Sequence, residues 1–130
     1  MQAEGDGAAR ERYGLPRQVR ITSSDEIRTL FRRGKRSRTR HLDAFVSPSP
    51  ASFPRLGVVV PKHKRRIVER NLLKRRLRDV GRTVVLPGLG NRGAALDVLV
   101  RARPEAYAAS YTELRDELAA LTEELCSRAR

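Results

Sequence analysis

The spacing of apolar residues along the chain predicts a helix near each end. A Ser and a Glu stand at capping-box spacing from Ser23 and again from Ser110, which marks two helix starts. Apolar residues then recur every three or four positions, over 27–31 in the first helix and over 114–125 in the last. Gly34 is a natural end for the first helix. Both patterns indicate helices that bury one face against a core.

A third helix is predicted from about residue 66 to residue 84, and its two sides differ. A narrow apolar stripe is expected to face the core, and it consists of Leu73, Leu77 and Val80 with Leu72 beside them. The opposite side is strongly basic, and its residues are Arg70, Asn71, Lys74, Arg75, Arg78 and Arg82. The pattern predicts a helix that is anchored by one face and presents a cationic face to a partner.

Between these helices the pattern predicts strands separated by loops. Residues 42–46 alternate as in a strand with two differently filled faces, and residues 55–60 and 96–100 are short apolar runs typical of buried strands. The Pro-rich segment 47–54 and the Gly-rich segment 87–93 are predicted to be connecting loops. The order of elements predicts an α+β fold, with one sheet and helices packed against it.

Basic residues dominate the composition. The 130 residues include 28 Lys and Arg against 15 Asp and Glu, which gives a formal net charge of +13. Of the 28 basic residues, 22 lie between Arg10 and Arg82. Charge concentrated in this way favours a nucleic acid as partner over an anionic membrane surface or a role in solubility alone. The few aromatic residues favour recognition of backbone and shape over stacking of several bases.

Length and composition exclude several classes of protein. A chain of 130 residues supports one compact domain, predicted over 20–130 behind a mobile tail over 1–19. No apolar stretch approaches the roughly 18 to 20 residues that span a bilayer, so no membrane partner is expected. Cys126 is the only cysteine, which excludes a disulfide framework and suits the reducing cytoplasm.

No residue is predicted to be catalytic or to bind a metal ion. His41 and His63 have no acidic or cysteine partner at the spacing of metal ligands or of a general base. Asp43 and Asp97 lie on predicted strands, and nothing in the sequence pairs them for a two-metal site. A self-sufficient metal nuclease would need clustered acids that the chain does not display.

The run LGVVVPKHK at 56–64 and the run VERNLLKRRLRD at 68–79 carry a family resemblance. Together with the first helix, the strand ending at Val100 and the final leucine helix, they make the chain similar to the bacterial ribonuclease P protein family from about Val19 to Leu125. The resemblance implies a subunit of a ribonucleoprotein endonuclease that removes the 5′ leader of precursor tRNA. It also implies that the RNA subunit hydrolyses the bond with Mg²⁺, while the protein aids substrate affinity and the active RNA conformation.

The resemblance refines the expected fold. It implies a single four-stranded mixed sheet packed with three helices in the order αβββαβα, similar to the second domain of ribosomal protein S5. The helix between the last two strands would make a left-handed crossover, against the usual right-handed rule. The fourth strand, which periodicity does not indicate, would lie near residues 36–40.

Two contact regions are also implied by the resemblance. The middle helix and the loop before it would bind the catalytic RNA through Lys62, Lys64, Arg65, Arg66, Arg70, Asn71, Lys74, Arg75 and Arg78. A cleft between the first helix and the sheet would bind the single-stranded leader through Ile27, Phe31 and Phe45. From spacing alone, Phe31 is more typical of a core residue, and Phe45 fits either place.

Three positions depart from the family pattern. Leu72 stands where the family usually has a basic residue, so one RNA contact is absent or moved to Arg76. Ile27 replaces an aromatic residue, which turns base stacking into apolar contact. His63 stands in a loop where the family usually has a serine and paired lysines, so its role stays open.

A stand-alone RNA-binding or ribosome-associated structural protein of similar fold is the alternative function. The two functions differ in their dependence on a partner RNA. A ribonuclease P subunit, with one protein per RNA expected, acts on precursor tRNA only together with a bacterial ribonuclease P RNA.

Overall fold

The computed structural model describes residues 15–128, which form one mixed sheet with helices on both of its faces. The strands are β1 (Lys35–Arg38), β2 (Leu42–Pro48), β3 (Arg55–Val59) and β4 (Leu96–Ala102). The helices are α1 (Ser24–Arg33), α2 (Ile67–Val80), α3 (Leu86–Asn91) and α4 (Tyr111–Arg128). Short 3-10 turns at Arg17–Val19 and Pro104–Ala108 and a π-helical segment at Gly81–Val85 complete the order.

The strands lie side by side in the order β1-β2-β4-β3. β1 and β4 both run antiparallel to β2, whereas β3 runs parallel to β4. A parallel pair needs a crossover connection, and here the chain passes from β3 to β4 through α2, the π-helical segment and α3. The predicted four-stranded mixed sheet and the αβββαβα order of the strands and the three longer helices are confirmed, and the strand expected near residues 36–40 is β1.

Side-chain caps mark the starts of α1 and α4. Ser23 Oγ accepts the Glu26 N–H at 3.4 Å, and α1 ends at Gly34. The Glu113 N–H donates to Ser110 Oγ at 3.1 Å, and the Ser110 N–H donates to the Glu113 carboxylate at 2.9 Å. Such caps satisfy backbone donors that a helix start leaves unpaired. Both helices begin where the sequence predicts.

The main core lies between one sheet face and the helices α2, α3 and α4. Leu73, Leu77 and Val80 of α2 are buried there, which confirms the predicted stripe. The prediction for Leu72 is wrong, since 43% of this residue is exposed. Each residue turns a helix by about 100°, so Leu72 projects away from Leu73 and toward solvent.

A smaller apolar cluster lies on the other sheet face, beneath α1. Its buried members are Ile21, Leu30, Phe45 and Leu99, and Ile27, Phe31 and Val59 pack against them. Arg36 and Arg38, which point to this face from β1, stay exposed. α1 therefore covers this face only in part.

The middle helix changes its geometry earlier than predicted. Regular α-helix ends at Val80, and the next segment, Gly81–Val85, is π-helical. A Cβ atom on Gly81 would lie 2.0 Å from Leu56 Cδ2 of β3. The glycine therefore allows the chain to lie close against the sheet at the point where the hydrogen-bond pattern changes.

The Gly-rich segment at 87–93, predicted as a loop, is mostly helical. Its residues up to Asn91 belong to α3. Leu89 is fully buried, so apolar burial outweighs the low helix propensity of the glycines around it. A Cβ atom on Gly88 would lie 2.7 Å from Thr122 Cγ2 of α4, so this glycine permits the close packing of the two helices.

The tail predicted over 1–19 is described only from residue 15 onward. In that part Leu15 is buried, and Val19 packs against the main core. Residues 1–14 lie outside the described residues, and a mobile tail there stays a prediction. No helix within residues 15–128 is long and apolar enough to cross a membrane.

Candidate nucleic-acid interface

The polar side of α2 faces away from the main core. Asn71 and Arg75 are exposed, and Arg70, Lys74 and Arg78 are half-buried. Within residues 15–128, none of the four cations in this set forms an ion pair with a carboxylate; the neighbouring pairs involve other basic residues. No carboxylate among the described residues therefore neutralises these cations.

Two arginines of α2 are set back against the protein. Arg70 Nε is buried without a hydrogen-bond partner among the described residues. Burial lowers the pKa of Arg78, and the nearby charge of Arg20 lowers it further. A buried donor without a partner and two crowded cations are unfavourable by themselves. A phosphate anion between Arg20 and Arg78, which line the same cleft, would relieve their mutual repulsion.

A cleft of about 190 Å³ lies between the α2 side and the α1 side of the molecule. Arg20 and Arg78 line it together with Ile27 of α1, and Leu56 and Gly57 of β3 form part of its wall. The sequence does not predict Arg20 as a site residue, because it directly follows the segment predicted to be a tail. The cleft brings the predicted RNA-binding helix next to the predicted leader cleft.

The loop between β3 and α2 carries predicted RNA-binding residues at its tip. His63 and Lys64 have left-handed backbones, with φ of 45° and 62°, a conformation uncommon for residues other than glycine. A hydrogen bond of 3.3 Å between His63 Nε2 and the Ala102 carbonyl holds the loop against the end of β4. Lys62 and Lys64 are exposed. The histidine thus anchors a loop that presents two lysines.

Arg65 and Arg66 are engaged with Glu69 at the start of α2. The Arg66 N–H donates to the Glu69 carboxylate at 3.1 Å, and the Arg65 and Arg66 guanidinium groups lie 3.3 and 3.7 Å from it. The backbone hydrogen bond from Arg66, together with the Arg65 guanidinium, lowers the pKa of Glu69. Arg65 also lies 4.9 Å from the centre of the Tyr107 ring. These two arginines therefore order the helix start as well as adding charge.

The three residues predicted for the leader cleft come together between α1 and the sheet. Ile27 and Phe31 are half-buried on α1, and Phe45 of β2 is 5% exposed. The rings of Phe31 and Phe45 meet edge to face, with centroids 5.0 Å apart. Phe45 therefore belongs to the small core, and Phe31 forms the more accessible aromatic edge.

Basic residues that the sequence does not assign to the site lie beside these rings. Arg36 and Arg38 of β1 and Arg101 of β4 all contact the buried Asp43 of β2. The Arg101 guanidinium lies 5.1 and 5.3 Å from the centroids of the two phenylalanine rings. Alternation along β1 places Arg36 and Arg38 on one face, but their neighbour Arg101 follows only from the pairing of the strands.

His41 has an acidic partner that the sequence did not reveal. Its Nδ1 contacts the carboxylate of Glu117 on α4, which also accepts hydrogen bonds from the His41 N–H at 3.0 Å and from Thr39 Oγ1 at 2.7 Å. Burial raises the pKa of Glu117, but these hydrogen bonds lower it by more. The contacts tie the turn between β1 and β2 to α4. Within residues 15–128 no three His, Cys, Asp or Glu side chains are placed to hold a metal ion.

Known proteins share both the sequence pattern and this architecture. The family model Ribonuclease P matches residues 15–126. The ribonuclease P protein component of Pseudarthrobacter chlorophenolicus is 34% identical over 110 residues, which is 84% of this chain and 78% of the relative. That of Acidothermus cellulolyticus is 35% identical over 107 residues, which is 79% of this chain and 84% of the relative.

A solved structure supports the fold independently. The RNase P protein of Staphylococcus aureus matches with a TM-score of 0.65 at 22% identity, over 86% of this chain and 95% of that protein. The family match spans all four strands, α1 to α3 and most of α4. The resemblance seen in the sequence and the function it implies, a subunit of an endoribonuclease, are confirmed. The chain belongs to the family of ribonuclease P protein components, the protein subunits of the endoribonuclease ribonuclease P.

Proposed function

We propose that α2 and the loop before it bind the catalytic RNA of ribonuclease P, and that the cleft between α1 and the sheet binds the 5′ leader of precursor tRNA. One observation carries the proposal. α2 is anchored by Leu73, Leu77 and Val80 on one side, and on the other it presents cations that form no ion pair within residues 15–128.

Mutual repulsion along α2 supports a polyanionic partner. Arg70, Lys74 and Arg78 follow one another at intervals of four residues, and like charges so spaced destabilise a helix by about 0.2–0.5 kcal/mol per pair. Phosphate groups on that face would remove the repulsion. Arginine offers phosphate a forked set of donors, and lysine offers a mobile point charge.

The apolar lining of the cleft between α1 and the sheet supports an unpaired strand as its ligand. Phe31 offers an aromatic edge and Ile27 an aliphatic surface beside it. Unpaired bases stack on aromatic rings and pack against apolar side chains, whereas a base-paired stem presents mainly phosphates and sugars. The leader is the part of a precursor tRNA that fits this description.

Hydrolysis of the phosphodiester bond is proposed to belong to the RNA, which would use Mg²⁺. The described residues of this chain offer no group of side chains for a metal ion, so the protein would neutralise phosphates and orient the strand. Its cations raise the local concentration of RNA. The single cationic face of α2 suits one protein per RNA, and the lone buried Cys126 suits a reducing cytoplasm.

Cleavage of a precursor tRNA with and without a bacterial ribonuclease P RNA tests this assignment. We expect the protein to accelerate cleavage when the RNA is present and to be inactive without it. Cleavage by the protein alone would identify a self-sufficient nuclease. RNA binding without any acceleration would support the stand-alone RNA-binding protein.

Removal of charge from α2 tests its contact with phosphate. We expect Arg70→Gln with Lys74→Gln to weaken binding of the ribonuclease P RNA. The slope of log affinity against log salt should fall by about two, because each phosphate contact contributes about one. Arg92→Gln with Arg115→Gln is the matched control, since it removes the same charge from the turn after α3 and from α4. An unchanged slope in the α2 variant would show that this face does not meet phosphate.

A further inference from the structure

A cluster of three arginines lies on the sheet face that α1 covers in part. Arg36 Nη2 and Arg38 Nε lie 3.3 and 3.5 Å from Asp43 Oδ1, and Arg101 Nη2 lies 3.3 Å from Asp43 Oδ2. The Asp43 side chain is 5% exposed, whereas those of the arginines are 48%, 60% and 35% exposed. Three guanidinium groups on one carboxylate leave a formal charge of +2 here. We call these four residues the arginine cluster.

The pairing of strands assembles the arginine cluster. Arg38 of β1 is the register partner of Asp43 in β2, and Asp43 is the register partner of Arg101 in β4. Arg36 lies two residues before Arg38 and therefore on the same face. Because β1 is an edge strand of the sheet, its two arginines reach solvent.

The arginine cluster adjoins the proposed leader cleft. The Arg101 guanidinium carbon lies 5.1 Å from the Phe31 centroid and 5.3 Å from the Phe45 centroid, and that of Arg36 lies 5.9 Å from the Phe45 centroid. Guanidinium groups at these distances lie over the ring face, in agreement with the low exposure of Phe45. A base that passes Phe31 would therefore meet the plane of Arg101 before it could meet Phe45.

We propose that the arginine cluster is a phosphate-binding subsite for the single-stranded leader, in which Asp43 positions the three guanidinium groups. This proposal rests on the proposed function of the neighbouring cleft. Each guanidinium group has several N–H donors and uses few of them on Asp43, so the others are free for a ligand. A phosphodiester accepts the forked hydrogen bonds that arginine gives.

Neutralisation of Asp43 does not require three arginines. On the same sheet face Asp97 is satisfied by Arg55 alone, whose Nε and Nη2 lie 2.9 and 2.6 Å from its two oxygens. The contacts to Asp43, at 3.3 to 3.5 Å, are longer than the usual length of about 2.7–2.9 Å for hydrogen bonds between charged groups. The three arginines are therefore held less tightly and retain charge for a second anion.

Leader length tests the subsite in the assembled holoenzyme. Precursor tRNAs with leaders of increasing length are titrated against holoenzyme that carries the wild-type protein, Arg36→Gln with Arg38→Gln, or Arg101→Gln. We expect the variants to bind the longest leader about tenfold more weakly and the shortest leader equally well. The slope against salt should fall by about 0.7 for each phosphate of the single strand that a variant no longer binds. Arg92→Gln, which removes one charge outside the arginine cluster, is the control for Arg101→Gln, and Arg92→Gln with Arg115→Gln is the control for the double variant.

Neutral linkages in the leader identify the phosphate. A methylphosphonate removes the charge of one linkage at a time. We expect substitution at the contacted linkage to weaken binding to the wild-type holoenzyme but to have little effect on the Arg101→Gln holoenzyme. Equal effects on both holoenzymes at every linkage would overturn the subsite.

The outcomes separate this proposal from the one on which it rests. Wild-type affinity that does not depend on the leader would contradict the function proposed for the cleft. If the wild-type affinity depends on leader length and the arginine variants show the same dependence, only the subsite would be contradicted. Thermal unfolding of each variant controls for loss of the fold, and the half-exposed Arg36 and Arg38 on the edge strand can be replaced without opening the core.

Discussion

Two aspartates on the same sheet face are almost equally buried, but the net charge of their surroundings has the opposite sign. Over the whole residue, Asp97 of β4 is 5% exposed and Asp43 of β2 is 3% exposed. Arg55 binds both oxygens of Asp97 and also donates to the Glu26 carboxylate of α1 at 2.7 Å. Two carboxylates and one guanidinium group give a formal charge of −1 there, whereas one carboxylate and three guanidinium groups give +2 around Asp43.

The difference shows that a buried carboxylate is not by itself a sign of a binding site. Around Asp97 the charged groups pair with one another away from solvent, since the Arg55 side chain is only 13% exposed. Hydrogen bonds with Asp97 and Glu26 raise the pKa of Arg55, so these contacts favour its charged form. Its contacts tie α1 to β3 and β4. Around Asp43 the positive charges outnumber the negative one and reach solvent.

The largest expected effect on stability comes from breaking the ion pair between Arg55 and Asp97. Arg55→Met would leave Asp97 buried without a partner, and we expect it to lower the free energy of unfolding by about 3–5 kcal/mol. Arg101→Gln is the matched comparison, because Asp43 keeps two arginines. We expect Arg101→Gln to lower the free energy of unfolding by no more than about 1 kcal/mol, because the Arg101 side chain is 35% exposed and Asp43 stays paired. Urea unfolding of the isolated protein measures both, and equal losses would remove the distinction between the two aspartates.

The dependence of stability on pH tests the contribution of the Asp43 carboxylate. Burial raises the pKa of Asp43, but hydrogen bonds from Arg101 and Arg36 lower it below its usual value. Because this pKa is lower in the folded protein, the ionised group stabilises the fold above its unfolded pKa of about 4. That contribution is lost as the pH falls through the folded pKa.

A substitution isolates this contribution. We expect Asp43→Asn to lower the free energy of unfolding by about 1–3 kcal/mol at neutral pH, because the arginines lose the negative charge and one of the two acceptor oxygens of the carboxylate. The difference from wild type should shrink as the pH falls below about 4. Urea unfolding at a series of pH values gives both curves. A difference that stays constant down to strongly acidic pH would contradict the stabilising role of the carboxylate.

The smallest expected effect concerns the ring beside the arginine cluster. Phe31→Leu keeps an apolar side chain on α1 but removes the aromatic edge. We expect binding of leader-bearing precursor tRNA to weaken about fivefold, as for the loss of about 1 kcal/mol of stacking, with mature tRNA unaffected. Phe53→Leu is the control, since this exposed phenylalanine lies in the loop between β2 and β3. An equal loss for both substrates would assign Phe31 to the core alone.

Features with a local signature were predictable. The caps at Ser23 and Ser110 and the buried stripe of α2 depend on residues only a few positions apart, so the order of residues contains them. Two predictions were wrong for different reasons. Leu72 is exposed because helix geometry turns it about 100° away from the buried Leu73. The segment α3 is helical although it contains glycines and a proline, because packing of Leu89 in the core overrides the local pattern.

Contacts between distant segments were beyond prediction from one sequence. Asp43 and Arg101 are 58 residues apart, and His41 and Glu117 are 76 residues apart. Alternation along a strand shows which residues share a face, but it does not show which strand lies beside it. Predicting the arginine cluster would have required knowing that β2 lies between β1 and β4.

Periodicity and charge along the chain were sufficient to predict the α+β order, the amphipathic α2 and a polyanionic partner, because each depends on residues close together in sequence. The balance of charge at each buried aspartate depends instead on the register between β1, β2, β3 and β4. Electrostatic energy depends on distance in space. Only the folded sheet therefore shows that Arg55 is matched by the carboxylates of Asp97 and Glu26, whereas Arg36, Arg38 and Arg101 share the single carboxylate of Asp43.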